Sequence, residues 1–107
     1  MNNQEVYDKV KAHLLSQNRK SLDDDGQCVY RGENGAMCAV GVLIPDDMYL
    51  PSMEGDACSA DDMLLVLKQL GIDYRLARSL QNVHDNVYHS NWPTALERLA
   101  IGYGLKP

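Results

Sequence analysis

Apolar residues repeat at helical spacing near the start of the chain. Val6, Val10 and Leu14 recur every four residues, and polar residues occupy the positions between them. Asn2 followed by Glu5 has the form of a capping box, in which each residue satisfies a free backbone amide of the other. The pattern therefore predicts an N-terminal amphipathic helix of about four turns.

The second half of the chain contains the signals of three more helices. Ser59 and Asp62 resemble a helix start, and the apolar run 63–67 that follows is ended by Gly71. Asp73 can cap the next helix, because its side chain can accept a hydrogen bond from a free amide in the first turn. Asn91-Trp92-Pro93 predicts the start of the last helix, since proline is favoured in a first turn. The apolar stripe of the middle helix comprises Leu76, Leu80, Val83 and Val87.

The stretch from Gln27 to Leu50 lies between these helical regions and contains a hairpin signal. Residues 27–31 are a strand candidate, and Asn34-Gly35 is a strong short-range indication of a β-hairpin. The apolar segment 36–44 can continue as a strand or become a helix at Cys38, and periodicity alone does not decide between the two. We expect an α+β fold that is mostly α. About four helices pack around a short β-hairpin in a single domain, residues 1–107.

The charge of the chain is acidic. Its 107 residues include 15 Asp and Glu against 10 Lys and Arg, which gives a formal net charge of −5. An acidic surface repels phosphate backbones, so we expect no direct binding to nucleic acid.

The cysteines and the N-terminal segment indicate a cellular location. Three cysteines at irregular spacing, with no CxxC motif, fit a reducing compartment better than a disulfide scaffold. The N-terminal segment lacks the features of a signal peptide, and no apolar run approaches the roughly 20 residues that span a bilayer. We expect a cytoplasmic protein without a membrane segment.

One arrangement of residues suggests nucleophilic catalysis. Cys38 at a helix N-terminus would have a lowered pKa, and His84 would act as its base. Asp85, Asn82 or Asn86 would orient the imidazole. The alternative is structural: Cys38 packs as a small apolar residue, His84 is a hydrogen-bonded helix residue, and Asp85 points elsewhere on the helix.

A zinc site is a second possibility. The chain offers enough ligand types, but they lack the paired short-range spacing of known zinc motifs. We therefore expect buried, scattered thiols, with no metal and no cofactor. The candidate zinc ligands are Cys28, Cys38, Cys58, His84 and His89.

A third possibility is a protein that binds a partner and catalyses no reaction. Tyr, Trp and Met are enriched at protein interfaces, and the acidic clusters together with the Met-rich segment 48–63 can form a partner surface. The candidate contact residues are Tyr30, Arg31, Tyr49 and Trp92, of which Tyr49 and Trp92 are expected to be exposed together with Tyr88. The alternative is that these aromatic residues complete a core that contains no Phe.

Two segments resemble a group of small uncharacterised proteins from phages, prophages and bacterial genomes. They are the YRG…CAVG…LIPD segment, residues 30–46, and the LQNVHDN segment, residues 80–86. The group has no established activity, so the resemblance implies a phage-type accessory protein and no functional residue. The function that we expect is a small acidic module that binds a host or phage protein. The alternative is a papain-like thiol hydrolase or transferase that uses Cys38 and His84.

Overall fold

A computed structural model describes residues 1–55 and 61–107 of the chain. These residues form five α-helices and three short 3-10 turns. The helices are α1 (Asn3–Gln17), α2 (Ala39–Leu43), α3 (Asp61–Gln69), α4 (Tyr74–Asn86) and α5 (Trp92–Gly102). None of the helices described is both long and apolar enough to cross a bilayer.

The predicted start of α1 is confirmed. The Asn2 side chain accepts a hydrogen bond from the Glu5 amide at 2.8 Å, and the Glu5 carboxylate accepts one from the Asn2 amide at 3.0 Å. Val6, Val10 and Leu14 are fully buried, as their spacing predicts.

The other predicted helices are also present. Asp73 caps α4 by accepting from the Arg75 amide at 2.9 Å, and α5 has Pro93 in its first turn. In α3, the helix ends before Gly71, whose φ of 69° only glycine adopts readily. The predicted start at Ser59 lies outside the described residues.

The predicted β-hairpin is wrong, and with it the α+β class. The described residues contain no strand, only two isolated bridges, Leu22 with Cys28 and Arg31 with Met37. Asn34 and Gly35 do reverse the chain, with φ of 56° and 75°, but they do so inside a 3-10 turn. The chain enters α2 directly after Cys38, so too few extended residues remain on that side to build a ladder. The fold is α-helical.

Helix α2 settles the alternative that the sequence left open for segment 36–44. Cys38 is its N-cap, and most of this short helix is buried, with α1 and α4 packed against it. Gly41 makes this possible, because a Cβ there would lie 2.0 Å from the Tyr30 carbonyl oxygen. A Cβ on Gly32 would lie 2.7 Å from the Ser21 hydroxyl. The glycines of the YRG and CAVG motifs thus allow two close backbone contacts.

The expectation that Trp92 is exposed is wrong. Its side chain is fully buried, and its indole N–H donates to the carbonyl oxygens of Val83 and Val87 at 3.1 and 3.0 Å. A chain without Phe uses its one Trp to fill the space between α4 and α5, and the carbonyls at the end of α4 satisfy the indole.

Candidate functional site

Three polar residues share one face of α4. Gln81, His84 and Asp85 follow the i, i+3, i+4 spacing that aligns side chains on a helix. They contact the loop at Ser21 and the start of α2, so the LQNVHDN motif joins α4 to the two segments that precede it.

His84 is fully buried, and both of its ring nitrogens have partners. The Ser21 amide donates to Nε2 at 2.9 Å, and Nδ1 lies 2.7 Å from the Asp85 carboxylate. A nitrogen that accepts a hydrogen bond has no proton, so in the neutral ring Nδ1 carries the proton and donates it to Asp85. The ring also stacks on Trp92, with 5.7 Å between centroids.

Asp85 turns toward its neighbour His84, so the expectation that it points elsewhere is wrong. Its Oδ1 also accepts from the Gln81 amide group at 2.8 Å. Burial raises the pKa of Asp85, but the hydrogen bond and charge interaction with His84, together with bonds from Gln81 and Cys28, lower it below its usual range.

Cys38 is buried, and the expectation of a lowered pKa is wrong. Its Sγ accepts a hydrogen bond from the Gly41 amide at 3.2 Å, as an N-cap does. Burial outweighs this bond and raises the pKa of the Cys38 thiol to about 12. A helix of five residues lowers the pKa of its N-cap too little to offset complete desolvation.

The three proposed catalytic residues are therefore brought together only in part. His84 and Asp85 form a hydrogen-bonded pair, but Ser21 and Asp85 engage both imidazole nitrogens, which leaves neither for the Cys38 thiol. In this geometry neither nitrogen of His84 is free to act as a base for the Cys38 thiol.

Cys28 lies nearer to this pair than the sequence suggests. The thiol of the exposed residue Cys28 lies beside the Asp85 carboxylate, and burial together with the Asp85 charge raises the pKa of the thiol to about 11. The sequence gives no sign of this contact, since it depends on the loop closed by the bridge between Leu22 and Cys28.

Ligand atoms of Cys28, His84 and Asp85 lie within 4.8 Å of one another, which is close enough for a metal site. However, the proton on His84 Nδ1 occupies the position that a metal ion would need, and the Ser21 amide holds the ring in that tautomer. The arrangement thus fits a structural hydrogen-bond network better than a metal centre. Cys58, another zinc candidate, lies outside the described residues.

The candidate contact residues near Arg31 bind one another. The Arg31 guanidinium lies 4.4 Å from the centre of the Tyr49 ring and 2.7 Å from the Asp46 carboxylate. The Tyr49 hydroxyl donates to Glu54 at 2.7 Å, and burial together with Glu54 raises the pKa of Tyr49 to about 12. Tyr30 is buried beside them. This cluster secures the segment 44–54 against residues 30 and 31.

A groove of about 990 Å³ lies beside α4. Arg75, Arg78 and Asn82 line it from α4, and Tyr74 and Tyr103 lie along it. Cys28, Glu54 and Asp85 also line it. The sequence does not reveal this groove, because charged residues such as arginine are typical of the solvent-exposed face of any amphipathic helix.

Comparisons with protein families, curated proteins and solved structures found no match for this chain.

Proposed function

We propose that this protein is a phage-type accessory module that acts by binding another protein, and that the groove along α4 is its docking site. The observation that carries the proposal is the groove itself, an open depression of about 990 Å³ with exposed tyrosines and arginines along it. The resemblance to phage and bacterial proteins supports the biological setting.

The composition of the groove favours a protein segment as its occupant. Tyr74 and Tyr103 are 40% and 37% exposed, and tyrosine and arginine are the residue types most often found in hot spots. Pockets for small molecules are instead concave and mostly apolar, with few polar groups. A long groove bordered by polar side chains fits a peptide that contributes its own backbone hydrogen bonds.

Thiol chemistry is the less favoured function because neither described thiol is activated. Cys38 has no exposed surface, and burial together with the charge of Asp85 raises the pKa of Cys28 and keeps its thiol protonated at neutral pH. A hydrolase would need the reverse, a thiol whose pKa is depressed by a neighbouring imidazole.

The test is a selection of binding peptides from a randomised displayed library, with the native protein as bait. We expect enriched peptides to shift the NMR amide signals of groove residues such as Ser79 and Asn82. An Asn82→Trp substitution places a large ring in the groove and should abolish binding of these peptides.

The matched control is Glu97→Trp, which adds the same ring to an exposed position of α5 that does not line the groove. It should bind the selected peptides like the native protein. Failure to enrich any peptide, or equal losses in the two Trp variants, would contradict docking in the groove.

A further inference from the structure

The two carboxylates that the described residues contribute to the groove, Glu54 and Asp85, accept hydrogen bonds from within the protein. Glu54 Oε1 accepts from the Tyr30 amide at 2.8 Å, and its Oε2 accepts from the Arg31 amide at 3.1 Å and the Tyr49 hydroxyl at 2.7 Å. Asp85 Oδ1 accepts from Gln81 and His84. Because their oxygens already accept these bonds, the two carboxylates have little accepting capacity left for a ligand.

The two arginines of the groove, by contrast, have no oppositely charged partner among the described side chains. Arg75 and Arg78 are exposed and lie three residues apart, which places them on the same side of α4. Neither forms an ion pair with a side chain that the structure describes, where the acid–base pairs are Arg31 with Asp46 and His84 with Asp85. Arg75 contacts the hydroxyl of Tyr74, a neutral group.

The groove therefore presents unused positive donors beside carboxylates that are already satisfied. A guanidinium has five N–H donors in a fixed plane that match the two oxygens of a carboxylate. Clusters of arginine are a recurrent means of recognising acidic motifs.

From this asymmetry we propose that the occupant of the groove is an acidic segment of a partner protein, whose Asp or Glu side chains bind Arg75 and Arg78. The inference rests on the proposed function and adds the chemistry of the partner. The net charge of −5 opposes an acidic partner at long range, so the preference arises from contact with the arginines.

The dimensions of the molecule set the length of the probe. An extended peptide of about ten residues spans roughly 33 Å, which is close to the longest extent of the protein, 34 Å. The probe is a fluorescent peptide of this length in which glutamates alternate with Gly, Ser and one Tyr. Two matched peptides replace every Glu by Gln or by Lys.

Binding is measured by fluorescence anisotropy on the native protein, on a double variant Arg75→Gln/Arg78→Gln and on the control Arg98→Gln. Arg98 is exposed on α5 and does not line the groove. We expect the Glu peptide to bind the native protein about tenfold more tightly than the double variant, since each exposed ion pair contributes up to about 1 kcal/mol. Arg98→Gln should bind like the native protein, and the Gln peptide should bind both proteins equally weakly.

The results separate this inference from the proposed function. If the three peptides shift groove signals equally, or if the Lys peptide binds best, the acidic preference is overturned while docking in the groove stands. If inorganic phosphate displaces the Glu peptide at similar concentrations, the arginines form a general anion site and the inference is overturned. Self-association that disappears in the double variant would identify a second copy as the occupant and overturn it as well. If no peptide binds and the library selection also fails, the proposed function itself is wrong.

Discussion

Two groups of polar residues on α4 behave in opposite ways. Gln81, His84 and Asp85, near the C-terminal end of the helix, have hydrogen-bond partners within the protein, and His84 has no exposed surface. Arg75 and Arg78, nearer its N-terminal end, are exposed and form no ion pair with a described side chain. The first group holds α4 against the rest of the fold, and the second offers unpaired charge to the groove.

This difference corrects a common way of choosing candidate sites. A Cys, a His and an Asp together suggest catalysis, yet here Cys38 and His84 accept from the buried Gly41 and Ser21 amides, and Asp85 accepts from His84. The arginines suggest no catalysis, yet they retain the capacity to bind. Whether a polar group already has a partner says more about its role than its residue type does.

The largest loss of stability should follow removal of His84. His84→Ala leaves the Ser21 amide buried without an acceptor, removes a partner of Asp85 and opens a space beside Trp92, so we expect a loss of about 4 kcal/mol in the free energy of unfolding. Urea unfolding measures it. The control Asn82→Ala, at an exposed position of the same helix, should change stability by at most about 0.5 kcal/mol. A similar loss in both variants would mean that the hydrogen bonds of His84 do not stabilise the fold more than an exposed polar residue does.

The second largest loss of stability should follow Gly41→Ala, which adds a methyl group to the close contact between α2 and Tyr30. The new methyl would meet the Tyr30 carbonyl oxygen at 2.0 Å, so α2 has to move and we expect a loss of about 3 kcal/mol. The control is Gly102→Ala, since a Cβ there meets no atom within 4 Å. Because alanine is the better helix former, this control should be neutral or slightly stabilising in thermal unfolding. Retained stability in Gly41→Ala would show that α2 is not held as tightly as described.

Thiol labelling tests whether Cys28 and Cys38 are as unreactive as their surroundings indicate. With a pKa of about 11, Cys28 should react with iodoacetamide at neutral pH roughly 10- to 20-fold more slowly than free cysteine, because the smaller thiolate fraction is partly offset by a more nucleophilic thiolate. Cys38 should react only after unfolding. Mass spectrometry resolves each cysteine, and Asp85→Asn should accelerate the reaction of Cys28 because the charge that raises its pKa is removed. Rapid labelling of Cys38 in the native protein would instead revive the catalytic hypothesis.

Asp85 should produce a smaller effect that depends on pH. Its folded pKa is lower than its unfolded value of about 4, so the charged form stabilises the fold above that value and the contribution disappears as the pH falls through the folded pKa. Because the side chain is 33% exposed and partly screened, we expect Asp85→Asn to cost about 1 kcal/mol at neutral pH. The difference from the native protein should narrow in urea titrations below about pH 4. If the difference in stability between Asp85→Asn and the native protein does not change with pH, the charge of Asp85 is not what stabilises the fold.

The smallest change in stability is expected at the two exposed arginines. Arg75→Gln/Arg78→Gln removes two exposed charges that form no ion pair with a described side chain, so the free energy of unfolding should change by at most about 0.5 kcal/mol. The same variant is expected to lose peptide binding, which separates a binding role from a structural one. Marked destabilisation would show that the arginines stabilise the fold.

Most of the helices could be predicted from the sequence because their signals are local. The capping box of Asn2 and Glu5, the cap at Asp73 and the stripes of α1 and α4 each depend on residues within a few positions of one another. The hairpin prediction failed for the same reason. Asn34-Gly35 specified a turn correctly, but whether strands continue on both sides depends on the burial of α2 by α1 and α4, which the local sequence does not contain.

The candidate site was harder to predict because it is built from long-range pairs. The Ser21 amide and His84 are 63 residues apart, and Gln81 bonds to the Val40 amide across 41 residues. The Cys28 contact with Asp85 likewise requires the folded loop. A buried histidine in a helix stripe does suggest a partner, but the sequence does not reveal whether that partner is a thiol, a metal ion or a backbone amide.

The contact between the first and last helices has a consequence for the order in which the protein can be completed during synthesis. The Tyr7 hydroxyl donates to the Leu96 carbonyl oxygen, 89 residues later in the chain, at 3.1 Å in the buried interior. A ribosome adds roughly 5 to 20 residues per second, so Tyr7 waits about 4 to 18 seconds for its acceptor. Throughout that interval the nascent chain carries an unfinished apolar surface on α1. The fold is therefore closed by its last helix, and the ribosome sets the earliest moment at which it can be complete.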